Sequence, residues 1–289
     1  MKNDIKKAVI PVAGFGTRLL PATKAQPKEM LPIVDKPAVQ YVVEEAVQSG
    51  VENILLVTGR NKRAIEDYFD YAVELERELE EKGKTELLNV VRNVSEMVSI
   101  YYVRQKIAKG LGDAIYHAKG FVNGEPFGVL LADDIIDSEI PCLKQMTNVY
   151  KGHPGVILAV MKVPMKDTRL YGIIEGKRIG DRLYEVKDLV EKPEPMKAPS
   201  NIAIVGRYIL TPSIFESLEK TPPGKNGEVQ ITDAIRNLLI KEKVYAYEFE
   251  GTRFDVGEKL GYLKANVAFA LKNKELGEKF KKYLKEILQ

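Results

Sequence analysis

The residue types best suited to chemistry near the N-terminus are two glycines and two permanent cations. Gly14, Gly16, Arg18 and Lys28 lie within "PVAGFGTRLLPATKAQPKEMLPI", directly after the apolar run 8–10. Glycines let backbone N–H groups approach an anion, and arginine and lysine supply the charge that a polyphosphate requires. On the glycines alone, an ordinary strand-to-loop turn with solvated cations explains the same residues. Spacing excludes two familiar phosphate loops. A dinucleotide fingerprint needs a third glycine where this chain has Leu19, and no Gly-Lys-Ser/Thr triplet follows Gly14 at P-loop spacing.

Acidic candidates lie further along. Asp133 ends the apolar run "GVLLA", and the carboxyl ends of parallel strands are where open α/β sheets take ligands. A carboxylate there suits a hard cation such as Mg²⁺. Asp134 follows directly, and because successive strand residues face opposite sides, one of the two is expected to be the ligand. Glu191 and Lys192 in "LVEKP" are, by themselves, a charge pair, and Asp255 in "FDVG" is by itself a cap or Asx-turn residue. Gly110 and Gly112 in "KGLGDAI" read as a plain helix start, and Gln105 as a surface amide. Cys142, His117 and His153 are scattered, which gives them structural or surface roles.

An α/β framework is expected to position these residues. β-branched runs at 8–11, 54–58, 100–103, 129–132 and 156–160 alternate with helical periodicity at 38–48, 62–81, 112–121 and 141–150. That is the pattern of right-handed βαβ crossovers around a mainly parallel sheet, and the continuous apolarity of several of the strands marks those as central. After Pro164 the short pieces "YGIIEG", "LYEVKDLVEKP" and "NIAIVGRYIL" point to a second, more antiparallel lobe. In the tail, Leu260, Leu263, Val267 and Leu271, then Leu276, Phe280, Tyr283 and Ile287, form apolar stripes that suit core packing and oligomerisation equally.

Composition narrows the setting. A chain of 289 residues with 45% hydrophobic content can bury a large core, and its 44 basic and 41 acidic residues are interspersed, for a net charge of +3. No nucleic-acid partner is expected from that balance. The aliphatic runs fall far short of the roughly 20 residues of a membrane-spanning helix, so no membrane role is expected. A single cysteine and an N-terminus without a long apolar stretch lead to the expectation of a cytoplasmic enzyme.

Over its full length, "AGFGTRLLPATKAQPKEMLPIVDKP" resembles the signature of sugar-nucleotide pyrophosphorylases, G-x-G-T-R-x-x-P-x(n)-P-K-x-x-x-P. The wording is most similar to the bacterial branch that uses UTP and glucose 1-phosphate. The resemblance continues in family order through "VRQKIAKGLGDAI", "LLADDI", "YGII", "LVEKP", "IVGRYIL", "GEVQITDAI" and "FDVGEKLGYLKANVAFAL". "LLADDI" departs from the common family wording in the residues flanking Asp133, while leaving that aspartate in place.

The resemblance implies a nucleotidyltransferase (glycosyltransferase-A-like) fold, a Rossmann-like, mixed but mainly parallel sheet flanked by helices, with a smaller sugar-binding lobe. Within a single domain, residues 1–160 would bind nucleotide, 161–257 the sugar phosphate, and 258–289 would take part in a homodimer or homotetramer. It further implies that backbone at Ala13, Gly14, Gly16 and Thr17 cradles the uridine and its phosphates, that Gln105 reads the base edge beside Gly110, and that Arg18 and Lys28 neutralise the departing pyrophosphate. Asp133 and Asp255 would hold Mg²⁺. Gly172, Glu191, Val205 and Gly206 would contact the sugar, and Lys192 the phosphates. The implied reaction is in-line attack of glucose 1-phosphate on the α-phosphorus of UTP, giving UDP-glucose and pyrophosphate without a covalent nucleophile. Two rivals remain at this point: a thymidylyltransferase using dTTP, and a catalytically silent regulatory paralogue, which is expected to have lost one of Arg18, Lys28, Asp133, Lys192 or Asp255. All five are present.

Overall fold

The computed structural model describes residues 4–224 and 227–288. Its centre is a nine-stranded mixed sheet in the order Ser99–Arg104, Asn53–Thr58, Lys7–Pro11, Phe127–Leu130, Ile202–Leu210, Val156–Lys162, Val244–Glu248, Leu183–Glu191 and Gly172–Gly180. The first four strands are mutually parallel, as the crossover pattern predicts. Alternation along them supplies two cores, one on each face: Val9, Leu55 and Val57 point to one side, Ala8, Ile10, Ile54 and Leu56 to the other. Helices Leu111–Tyr116, Ser213–Lys220 and Ile231–Leu238 cover the first face; Ala38–Gln48 and Cys142–Gly152 cover the second.

The region after Pro164 is more antiparallel, as expected, with Val244–Glu248 alone pairing parallel to Val156–Lys162 among its sheet strands, yet it does not form a separate layer. Strand Ile202–Leu210 inserts between Phe127–Leu130 and Val156–Lys162, antiparallel to both, so one sheet runs through the 1–160 and 161–257 regions. Its ladder with Val156–Lys162 is broken by a bulge between Ile204 and Tyr208, which frees the Val205–Gly206 backbone from regular pairing.

Several expected elements differ in detail. The strand expected at 100–103 is an edge strand, paired only with Asn53–Thr58 and leaving Tyr101 and Tyr102 exposed, so it is not central. The helix expected over 62–81 is two helices, Arg63–Phe69 and Val73–Glu81, parted at Asp70, which turns extended and whose carbonyl accepts from Ser95 Oγ at 2.9 Å. The helix expected over 112–121 stops at Tyr116 and resumes at Lys119–Val122, where the Ala118 N–H closes a tighter bond to Ile115. The strand expected at 129–132 is Phe127–Leu130. The Leu131 N–H is captured by the Gly206 carbonyl, and the chain turns into a two-stranded ribbon, Asp134–Asp137 against Thr252–Asp255.

The tail forms helices Lys259–Lys272 and Gly277–Ile287. Tyr262, Ala265 and Phe269 pack inward with Ile33, Tyr41 and Val256. Leu260, Leu263, Val267, Leu271, Leu276, Tyr283 and Ile287 are left exposed, so the stripe does not serve this chain's own core. Among the described residues no helix is long and apolar enough to cross a membrane.

Candidate active site

The opening loop leaves strand Lys7–Pro11 and, instead of entering an α-helix, folds through three single 3₁₀ turns at Thr17–Leu19, Ala22–Lys24 and Lys28–Met30. Gly16 takes φ 68° ahead of the first turn, a left-handed conformation, and a Cβ there would lie 3.1 Å from Lys28 Cβ. Glycine is therefore demanded both by the backbone and by the lysine stem beside it. Thr23 Oγ1 donates to the Gly16 carbonyl at 2.7 Å and closes the loop on itself.

This fold aims Lys28 at Asp133. Lys28 Nζ lies 2.6 Å from Asp133 Oδ2, and the more exposed Arg18 bridges two carboxylates, with Nη2 3.5 Å from Asp133 and Nη1 3.4 Å from Asp255. Burial works against the Asp133 charge, but Lys28 and then Arg18 outweigh it and hold its carboxyl below the usual carboxylate range. Burial likewise opposes the Lys28 charge, and Asp133 followed by Glu29 outweighs it, raising the ammonium pKa. Behind Lys28, Glu29 is paired with Lys62 at 2.6 Å in a buried contact where desolvation drives both toward neutrality, Glu29 up and Lys62 down.

The ribbon explains how Asp255 reaches Asp133 from a distant segment. Its register sets Asp255 opposite Asp134, and the Val256 N–H donates to the Asp133 carbonyl at 2.8 Å. Gly257 completes the approach: a Cβ there would fall 2.6 Å from Arg18 Nη2 and 2.7 Å from Asp133 Oδ2. Among the described residues no cluster of three or more His, Cys, Asp or Glu is assembled. A pair of carboxylates still fits a magnesium-like ion, which is characteristically held by one or two carboxylates with substrate phosphates and water completing the shell.

Asp133 and Asp134 part company, because Asp133 lies in the turn between strand Phe127–Leu130 and the ribbon that Asp134 begins. Asp134 is buried: Oδ2 accepts from the Gly206 N–H at 2.8 Å, Oδ1 pairs with Arg253, and burial pushes its carboxyl up by more than Arg253 offsets. The space beside Gly206 is occupied by Asp134 and Leu131, each within 2.8 Å of where a Cβ would sit, so this glycine is needed first by the protein's own packing. Next to it, Arg207 is fully buried and uses its whole donor set on the Glu45 carboxylate and the carbonyls of Leu131, Gly206 and Asp134, which fixes the turn carrying Asp133.

Across the same cleft stands the sugar-side group. Gly172 pairs with Glu191 in the hairpin Gly172–Gly180/Leu183–Glu191, and Glu191 Oε2 accepts from Thr232 Oγ1 at 2.7 Å. Lys192 has φ 46°, unusual for a residue with a side chain, held by its N–H donating to the Tyr171 carbonyl at 3.0 Å; its exposed ammonium lies 3.3 Å from Glu191. The cleft, about 1050 Å³, is walled by Arg18, Asp133, Asp255, Gly172, Glu191 and Lys192, with Val205 and Gly206 at its floor. Ala13, Gly14, Gly16, Thr17, Lys28, Gln105 and Gly110 lie outside that wall.

Gln105 is a buried amide, not a surface one. Its Nε2 donates to Asp113 at 2.6 Å and, less closely, to the Gly110 carbonyl at 3.4 Å. With both donors engaged, Oε1 is the atom free to accept from a ring N–H. Gly110 has φ 91° and Gly112 has Val229 O within 2.7 Å of an added Cβ; both let the 109–112 loop close on Glu228 and Val229. Sequence reasoning missed Gly257, Thr232, Asp113 and Arg253, though all four fall inside or next to motifs already singled out.

Residues 7–272 match the nucleotidyl transferase family. A Bacillus subtilis (strain 168) protein named UTP–glucose-1-phosphate uridylyltransferase is 53% identical over 99% of this chain and 98% of its own. The solved structure of a UDP-glucose pyrophosphorylase complexed with UDP-glucose superposes with a TM-score of 0.84 at 48% identity, covering 93% of this chain and all of that one. A UTP-bound enzyme of the same name from Acinetobacter baumannii gives a TM-score of 0.91 at 42% identity, covering 98% of this chain and 99% of that one. The chain belongs to the nucleotidyl transferase family, among its UTP–glucose-1-phosphate uridylyltransferases.

Proposed function

We propose that the cleft transfers a uridylyl group from UTP to glucose 1-phosphate, releasing pyrophosphate and forming UDP-glucose. The observation that carries this reading is the convergence of Asp133 and Asp255 under Arg18 and Lys28 on one side of a cleft whose other side presents Glu191 and Lys192. Arg18 and Lys28 neutralise the β- and γ-phosphates, and Arg18, held loosely at 3.4–3.5 Å, is free to turn to them. Lys192 draws the attacking phosphate in against its repulsion from UTP, while Glu191, Gly172, Val205 and Gly206 receive the sugar. Ala13, Gly14, Gly16 and Thr17 lie along the nucleotide, with Gln105 and Gly110 at the base. Asp133 and Asp255 are the residues that would hold Mg²⁺, which supplies charge neutralisation on the phosphate oxygens when bound. Catalysis here is positioning and electrostatics, with no nucleophile from the protein.

The uridylyltransferase name of relatives sharing about half the residues favours UTP over dTTP, and a silent paralogue is disfavoured because all five charged groups are present, four of them lining one cleft and Lys28 paired with its Asp133. The exposed stripe on the C-terminal helices supports a homodimer or homotetramer built through 258–289, with 1–160 as the nucleotide side and 161–257 as the sugar side. A cytoplasmic setting without nucleic-acid or membrane partners accords with the charge balance. The test is pyrophosphate release by purified protein with Mg²⁺ and glucose 1-phosphate, comparing UTP with dTTP and with Asp133→Ala. Turnover that strongly prefers UTP and collapses in the variant supports the proposal; preference for dTTP, or no release with either, overturns it.

A further inference from the structure

Arg253 has no part in the reading above, yet each of its partners is a residue that does or is one hydrogen bond from one. Its Nη2 pairs with Asp134, the carboxylate that accepts the Gly206 N–H, and lies 3.6 Å from Asp255 Oδ2. Its Nη1 donates to Tyr171 Oη at 3.3 Å, with the guanidinium 5.5 Å from that ring's centroid. The Tyr171 carbonyl in turn holds the N–H of Lys192, the residue kept at φ 46°. One guanidinium thus reaches Gly206 through Asp134, Lys192 through Tyr171, and Asp255 directly.

A buried ion pair is weak grounds for stability, since apolar side chains of equal volume commonly serve as well. Here the pair carries an added cost: Arg253 Nε is one of two buried side-chain polar atoms without a partner among the described residues. What a planar fork provides at this spot, and a hydrocarbon or a point charge does not, is simultaneous orientation of three groups. We propose that Arg253 is a positioning residue that ties the sugar-phosphate side of the cleft, Gly206 and Lys192, to Asp255, so that the attacking phosphate is delivered in register with the nucleotide. This rests on the uridylyl-transfer reading and deepens it.

Arg253→Lys keeps the charge beside Asp134 and loses the fork; Tyr171→Phe removes only the hydroxyl. Losing hydrogen bonds to a charged group corresponds to roughly tenfold effects. For Arg253→Lys, UDP-glucose binding measured by titration calorimetry should weaken about tenfold, and KM for glucose 1-phosphate should rise with a fall in kcat, while UTP binding stays within about twofold. Tyr171→Phe should shift the same sugar-side constants less. Wild-type values for UDP-glucose binding and for glucose 1-phosphate in a folded Arg253→Lys protein overturn the proposal, as does equal loss of UTP and UDP-glucose binding. Should Arg253→Lys fail to fold, an unaltered KM for glucose 1-phosphate in Tyr171→Phe overturns it. Failure of the underlying reading is separate, because it appears as no pyrophosphate release from the unmutated protein.

Discussion

Lys28 Nζ lies 2.6 Å from Asp133 Oδ2, and each group moves the other's pKa away from neutrality. Asp133, depressed from 3.8, contributes stability that is present above its unfolded value and lost as pH falls through the folded one. Lys28, raised from 10.5, contributes stability that is present below its unfolded value and lost as pH rises through the folded one. The melting-temperature gap between wild type and Lys28→Met should therefore be flat from about pH 5 to about pH 10 and narrow outside that window. Unfolding curves across pH check it; a gap that widens on acidification contradicts the pairing.

The buried Glu29–Lys62 pair sits directly behind Lys28. Lys62→Met leaves a carboxylate buried alone and should cost about 3–5 kcal/mol, whereas Lys62→Met with Glu29→Leu should recover most of it. Urea titrations of both variants decide; additive losses would mean the two charges are not coupled.

Arg207 bonds Glu45 and three carbonyls around the Asp133 turn. Arg207→Lys cannot satisfy that set and should cost about 3 kcal/mol or more, despite the conserved charge. A loss below about 1 kcal/mol in denaturant unfolding would show that the fork is dispensable.

Gly257 has an ordinary φ, so alanine there is sterically costly only because Arg18 and Asp133 lie within 2.7 Å of the new Cβ. Gly257→Ala should lower kcat by about tenfold to a hundredfold, with a small change in melting temperature. Steady-state kinetics beside a melt separates the two; an equal loss of fold would place the glycine in the scaffold instead.

The exposed Leu263 and Val267 lie on one face of helix Lys259–Lys272. Wild type should scatter light as a dimer or tetramer, and Leu263→Glu with Val267→Asp should scatter as a folded monomer. A monomeric wild type removes the interface.

Residue type and local spacing were enough to determine the α/β class, the two-sided burial of the first strands, and the loop that departs from both familiar phosphate motifs. Those features depend on neighbours in the chain: alternation along a strand and the backbone freedom of glycine. The family resemblance added Asp255 and Lys192, whose sequence context alone reads as a turn residue and a charge pair. Only the tertiary structure decided that a ribbon sets Asp255 opposite Asp134, that strand Ile202–Leu210 crosses into the middle of the first region's strands, and that Arg253, Arg207 and Gly257 surround the aspartates. The long helical periodicity at 62–81 was misread for a related reason. Apolar spacing registers which face is buried and not where the backbone turns extended, as it does at Asp70, whose carbonyl is met by Ser95 from well away in the chain. Buried charge followed the same logic: a guanidinium or carboxylate can be hidden only where partners from several segments meet it, and no local pattern of residues records that meeting.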